Sequence, residues 1–266
     1  PNTSTNTSLT KLNLWQVSAS GQLLNAFETQ TAGVINPQKI LVTQNGLVVF
    51  GDIYEKSTIK GFFASISKTG VFTPLIKYGV KQTQLTGAES NTDGSFSVVG
   101  KSADLLLKVK PLSKGDAITL KISAKGVLQQ VARATLKSTT RSWDSISAGL
   151  LQGGLVKYAK KSEAAITKFS ALGKPTWNDR YPANSAALVA ASSNSWATFI
   201  STGAIAGVPS WKPKVPTAVI LELGKKGEVI TASAISGSPV AIDRNNEIGT
   251  VVITDSGTSF GIVLIN

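Results

Sequence analysis

The side chains of this 266-residue chain that could do chemistry are acids, lysines and a few aromatics, because His, Cys and Met are all absent. Without His there is no Ser-His-Asp triad and no imidazole ligand for zinc or haem. Without Cys there is no thiol nucleophile, no thiolate metal site and no disulfide framework. Carboxylates remain. Asp52, Asp144 and Asp179 come from separate segments and are the candidates for a glycosidase pair, in which one acid protonates the leaving group and another attacks or activates water. Their ordinary alternative is turn capping, which Asp favours. No P-loop or dinucleotide fingerprint occurs. No DxDxDG run marks a calcium loop, although calcium held by oxygen ligands alone stays open. No catalytic residue, metal ligand or cofactor is assigned, and the expectation is a non-enzyme, with a carbohydrate-active enzyme as its rival.

Binding chemistry is better represented. Arg141, Trp143, Arg180, Tyr181, Trp211 and Lys212 combine flat apolar rings with adjacent cations, which suits sugar rings and anionic groups. The stretch VPSWKPKVP (Val208–Pro216) holds Trp211 between prolines that stiffen it. Trp143 and Tyr181 have a plainer alternative, that of filling space between structural elements. A second set, Lys68, Lys125, Lys174, Lys225 and Lys226, recurs at equivalent turns and would form a ring of positive charge. Its plainer role is to keep those turns soluble and unpaired. The net charge of +12 favours a polyanionic partner such as an acidic polysaccharide, or the acidic surface of another protein. Only four of the cations are Arg, the usual reader of base edges, so nucleic acid is disfavoured.

The elements that must position these residues are short strands. Gly21, Gly70, Gly126, Gly173 and Gly227 each end a run of alternating apolar residues, as in FFASISKTG and ITLKISAKG. Turn-and-strand units such as QNGLVVFG (Gln44–Gly51) and TDGSFSVVG (Thr92–Gly100) precede them. Asn-Gly and Asp-Gly supply the positive φ angles that tight hairpins need. Four short strands in a repeat of about 50 residues predict a β-propeller blade, whereas a pair of β-sandwiches would share only the strand spacing. The fold class is all-β: a propeller of five four-stranded blades over 11–266, closed by N- and C-terminal strands, behind a Ser/Thr/Asn-rich linker at 1–10. Inner strands are expected near Ile40–Gln44, Gly87–Asn91, Ser145–Leu150, Ala186–Ala191 and Pro239–Asp243. Strand antiparallelism then places the longer 2–3 and 4–1 connections, with Arg141, Trp143, Arg180, Tyr181, Trp211 and Lys212, on one face of the ring. The short 1–2 and 3–4 turns, with the lysine ring, fall on the other. Phe260–Asn266 (FGIVLIN) reads as a third strand beyond what closure needs, leaving three options: a fifth strand, displacement of Leu12–Val17, or a longer native chain.

The unit DGSFSVVG, followed after a loop by ITLKISAKGVL, resembles the DGGF-hydrophobic-G … AFVxKxDxxGxLxW repeats of secreted bacterial β-propellers, over nearly all of 11–266. The Asp of that pattern before the blade-ending Gly is Lys68, Lys125, Leu172 or Lys226 here. The resemblance implies an exported or surface-exposed propeller and no particular activity. ITDSGTSF (Ile253–Phe260) resembles in part the sialidase Asp-box, a structural turn. A chain that starts at Pro1 and lacks Met reads as processed, with any signal peptide removed, and no apolar run is long enough for a transmembrane helix. The expected location is extracellular or cell-surface. Oligomers or polymers through the terminal strands are a further expectation.

Overall fold

The structure, a computed structural model, describes residues 7–135, 139–245 and 247–265. It is an all-β, five-bladed propeller. A hairpin of β1 (Lys11–Val17) and β2 (Leu23–Gln30) leads into blade 1, formed by β3 (Val34–Thr43), β4 (Gly46–Glu55), β5 (Thr58–Ser67) and β6 (Ile76–Tyr78). Blade 2 is β7 (Thr83–Ser90), β8 (Phe96–Ser102), β9 (Asp116–Ile122) and β10 (Leu128–Ala134). Blade 3 is β11 (Thr140–Ser147), β12 (Leu151–Tyr158), β13 (Lys161–Phe169) and β14 (Pro175–Pro182). Blade 4 is β15 (Leu188–Ala191), β16 (Ser195–Ser201), β17 (Thr217–Leu223) and β18 (Val229–Ala234). Blade 5 is β19 (Ser238–Asn245), β20 (Gly249–Asp255) and β21 (Phe260–Ile265). All strand pairs within these sheets are antiparallel.

Period-two alternation makes every blade apolar on both faces. In β4, Val48 and Phe50 face blade 2, while Val49 and Ile53 face the hairpin. Phe50, Phe63 and Phe96 meet at the blade 1–2 junction, with ring centroids 5.4–6.2 Å apart. The 3–4 turns of blades 1, 2 and 3 are built alike, whereas that of blade 4 closes on Gly224 with Glu228 as its cap. Gly70, Gly126 and Gly173 sit near φ +80° and donate to the Ser carbonyl three residues back, and that Ser hydroxyl caps the residue after the Gly. Gly21 closes the β1–β2 turn in the same way on Ser18, which marks the hairpin as a strand 3–4 pair. At Gly126 a Cβ would come within 2.4 Å of Ile76 Cδ1 and 2.8 Å of Phe63 Cδ1, so the turn also needs Gly for close approach to blade 1.

Three inner strands start several residues before the expected positions: β7 and β11 open on polar residues that hide the alternation, and in β3 the polar stretch Asn36–Lys39 separates Val34 and Ile35 from the apolar run at Ile40. β21 is the third strand of blade 5, so Leu12–Val17 does not fill that place. The hairpin forms its own sheet against blade 1, through Leu12 and Leu14. Among the described residues no ladder joins β21 to β1. Of the tract at 1–10, residues 1–6 lie outside the described ones, Thr7–Thr10 is a 3-10 turn, and the Thr10 carbonyl accepts the Thr31 amide at 2.7 Å. No helix of the described residues is long and apolar enough to cross a membrane.

Removing the aromatic centre of the blade 1–2 junction leaves a void that rigid sheets fill poorly. Phe63→Ala is expected to cost about 3–5 kcal/mol in urea unfolding, with the denaturant midpoint as readout.

Candidate functional site

Four of the six predicted binding residues lie on strands rather than loops. Arg141 and Trp143 are on β11, two residues apart and so on one face, and the Arg141 guanidinium carbon lies 4.0 Å from the Trp143 ring centroid. Both are buried, with Trp143 1% exposed against Phe169. Arg141 Nη2 donates to Thr167 Oγ1 at 3.1 Å and Asn178 Oδ1 at 3.3 Å. Burial, and then the neighbouring Arg180 charge, bring its guanidinium down to about 10. Tyr181, on β14, is buried and stacks on Phe199 across the blade 3–4 junction. Arg180 is half exposed and pairs with Glu163 at 3.3 Å. Trp211 rests on the blade 4 core and donates Nε1–H to Ser201 Oγ at 3.1 Å, and Lys212 beside it is exposed. The structure therefore brings Arg141 and Trp143 together as packing, and leaves Arg180, the outer edge of Trp211 and Lys212 open to a ligand.

The three carboxylates are spread over separate elements. Asp52, on β4 and 1% exposed, accepts the Leu85 amide at 2.7 Å and staples blade 1 to blade 2. Burial raises its carboxyl to about 6, opposed by that hydrogen bond. Asp144, on the inner strand of blade 3, accepts the Ser142 hydroxyl at 2.6 Å; burial raises its pKa, against the Ser142 bond and the Lys101 and Lys157 charges. Asp179 is on the outermost strand of the same blade, and burial raises its pKa too. Asp52 and Asp144 are thus hydrogen-bonded in place, whereas Asp179 Oδ2 is buried without a hydrogen-bond partner among the described residues.

The face of the 2–3 and 4–1 connections holds features that sequence reasoning passed over. The β8–β9 loop, 103–115, is pinned by buried Leu106, and the β16–β17 loop, 202–216, by buried Ile205. Each loop closes through a small bridge, Leu106 with Val109 and Ile205 with Val208. Asp104 accepts the amides of Val80, Lys81 and Gln82, and Arg133 ties the loop down through Asp116 at 3.2 Å and the Ser102 carbonyl at 3.1 Å. The acids of this region are spent on structure. Its lysines are not: Lys108, Lys110 and Lys114 on one loop, and Lys212 and Lys214 on the other, are exposed and make no ion pair among the described residues. Between blades 2 and 3 the face opens into a groove of about 510 Å³. Lys114 and Lys157 line it, with Ser113, Thr139, Thr140 and Tyr158 supplying hydroxyls. The signal for this groove was available in the lysine run of 101–114 and in Lys157, Lys160 and Lys161, but only strand order brings the two segments together.

Lys68, Lys125, Lys174, Lys225 and Lys226 all lie at exposed 3–4 turns on the opposite face. That face also carries acids. Asp93 pairs with Lys121 at 2.7 Å, Glu228 caps the Lys226 amide at 2.9 Å, and Glu89 accepts the Ala148 amide at 2.8 Å. Lys68, Lys125, Lys174, Lys225 and Lys226 make no ion pair among the described residues either, so unpaired positive charge stands on both faces, and only the long-loop face adds a groove to it.

No protein-family model and no curated protein matches the sequence. Similarity is to solved structures. A protein of unknown function from Bacteroides caccae aligns at 12% identity over 87% of this chain and 72% of that one, with TM-score 0.48. The Dos1 propeller aligns at 9% identity over 90% of this chain, which spans 56% of that structure, with TM-score 0.47. BamB from Moraxella catarrhalis aligns at 10% identity over 92% and 88% of the two chains, with TM-score 0.32. These neighbours are β-propeller proteins, and the likeness is one of fold.

The raised Asp52 carboxyl sets a pH dependence of stability. A folded value of about 6, above the unfolded value, means the acid imposes no penalty below about pH 4 and destabilises as pH rises through 6. Asp52→Asn keeps an acceptor for the Leu85 amide and removes the charge. It is expected to raise stability at pH 8 by on the order of 2 kcal/mol and to be neutral near pH 4, read by urea unfolding at both values.

Proposed function

We propose that this protein is a non-enzymatic binding module that takes an acidic polysaccharide on its long-loop face. One observation carries the reading: the unpaired lysines of loops 103–115 and 202–216 share a face with a hydroxyl-lined groove whose nearby acids are committed to structure. Lysine ammonium groups attract carboxylate or sulfate as point charges, and flanking Ser, Thr and Tyr hydroxyls match sugar hydroxyls. Lysines set on two loops of different blades suit an extended chain more than a compact anion. The partly covered indole of Trp211, beside Lys212, offers an apolar edge to a sugar ring. An extracellular or cell-surface setting accords with a chain free of Cys.

Two measurements test this. Calorimetric titration with an acidic oligosaccharide should show affinity that falls with added salt, while a neutral oligosaccharide of equal length should not bind. In the pair Lys114→Glu/Lys157→Glu the affinity should drop by about tenfold or more, ~1.4 kcal/mol. Lys125→Glu/Lys174→Glu, on the opposite face, should leave it within about twofold. Equal losses in both pairs would reduce the effect to net charge and sink the proposal. Trp211→Ala is expected to weaken binding by about 1 kcal/mol without a change in salt dependence, as a loss of ring contact and not of charge.

A further inference from the structure

The two long 2–3 loops share a turn and build it from different residues. In loop 202–216 the Val208 amide donates to the Ile205 carbonyl at 3.1 Å, and Gly207 supplies the positive φ, +83°. In loop 103–115 the same bond runs from Val109 to Leu106 at 2.8 Å, but the two central residues are Leu107 at φ +44° and Lys108 at φ +65°. That left-handed region suits Gly, Asn or Asp, and a leucine there is held against the contacts of its own Cβ. Burial does not offset the strain. Leu106 packs into the core, whereas Leu107 is 48% exposed, and Leu105 and Leu112 of the same loop are 58% and 70% exposed. Val80, 64% exposed, is tied to this loop by its amide bond to Asp104, and Val215 of the second loop is 67% exposed. Lysines are interleaved with these aliphatics: Lys108, Lys110 and Lys114 in one loop, Lys212 and Lys214 in the other, none ion-paired among the described residues.

We infer that this face docks on an anionic lipid bilayer, with the aliphatic side chains of the two loops seated at the acyl boundary and the lysines at the headgroups. The interleaving of charge and aliphatic surface decides the partner. A protein interface gathers its apolar residues in a core depleted of charge and enriched in aromatic rings. Here Val80, Leu107 and Val215 each adjoin a lysine. A bilayer accepts that mixture, because short aliphatic side chains enter the acyl boundary while ammonium groups on flexible stems reach the phosphates above it. The loops belong to blades 2 and 4, on either side of the two-residue turn of blade 3, and so offer a surface two points of contact. The inference goes beyond the polysaccharide reading, which uses the groove between blades 2 and 3 and gives Leu105 and Leu107 no role.

Vesicle flotation is the first test. The protein should float with an equimolar mixture of phosphatidylglycerol and phosphatidylcholine, and should stay behind with phosphatidylcholine alone. In Leu105→Ser/Leu107→Asn the affinity for the mixed vesicles should fall by about tenfold or more. Asn fits the left-handed backbone, so the urea midpoint of this variant should hold or rise, and lost binding is then not lost folding. A wild type that ignores the mixed vesicles overturns the inference. So does a leucine variant that binds them as the wild type does, since lysine charge alone would then account for the contact. A second measurement reads the face directly in this Cys-free chain. A polarity-sensitive dye on Leu112→Cys should shift to the blue on the mixed vesicles, and one on Lys125→Cys, on the opposite face, should not. Equal shifts at both positions, or no shift at Leu112→Cys, overturn it. The vesicles carry no sugar, so these results stand or fall apart from the polysaccharide reading.

Discussion

A sheet buried on both faces must be apolar on both faces, and that constraint governs this molecule. A strand in a propeller blade has a neighbouring blade on either side, so consecutive residues must both avoid charge. β4 shows the result: Val48, Val49, Phe50 and Ile53 are all buried, yet they serve two different junctions. Because each junction is filled by side chains from two blades, no blade is stable by itself, and the repeat works as a series of nearest-neighbour contacts.

Polar groups caught between such sheets must be satisfied where they stand. Asp52 bonds the Leu85 amide across the blade 1–2 junction, Thr86 donates to the Trp143 carbonyl at 2.6 Å between blades 2 and 3, and Ser145 caps the Val189 amide at 2.9 Å between blades 3 and 4. These bonds set the vertical register of one blade against the next, which apolar contact alone leaves free to slide. The same demand consumes the acids of the long-loop face. Asp104 and Asp116 hold loop 103–115 in place, and with those carboxylates withdrawn the surface left to solvent is cationic.

The loops that carry Lys108, Lys114 and Lys212 join strand 2 to strand 3 in blades 2 and 4, where blades 1 and 3 make the same connection with two residues, and each is anchored by one aliphatic side chain. A rigid scaffold with anchored basic loops presents fixed charges to an extended ligand, and less ordering is required on binding than with free loops.

Much of this was legible in the sequence. The Gly at the end of each alternating run, with Asn-Gly and Asp-Gly before it, determined the strand count, the turns and the propeller class, because turn chemistry and period-two alternation are local. Inner-strand boundaries were less legible, since β11 opens with Thr140, Arg141 and Ser142, whose polarity reads as loop until Arg141 is seen to lie buried against the Trp143 ring. The roles of Arg141, Trp143 and Tyr181 were decided by tertiary structure alone, because a large aromatic next to a cation looks the same in sequence whether it faces a sugar or a neighbouring blade. The meeting of Lys114 with Lys157 in one groove likewise belongs to tertiary structure. Which blade stands beside which is a non-local fact, and only that arrangement assigns each alternating residue to a junction, to a ligand or to solvent.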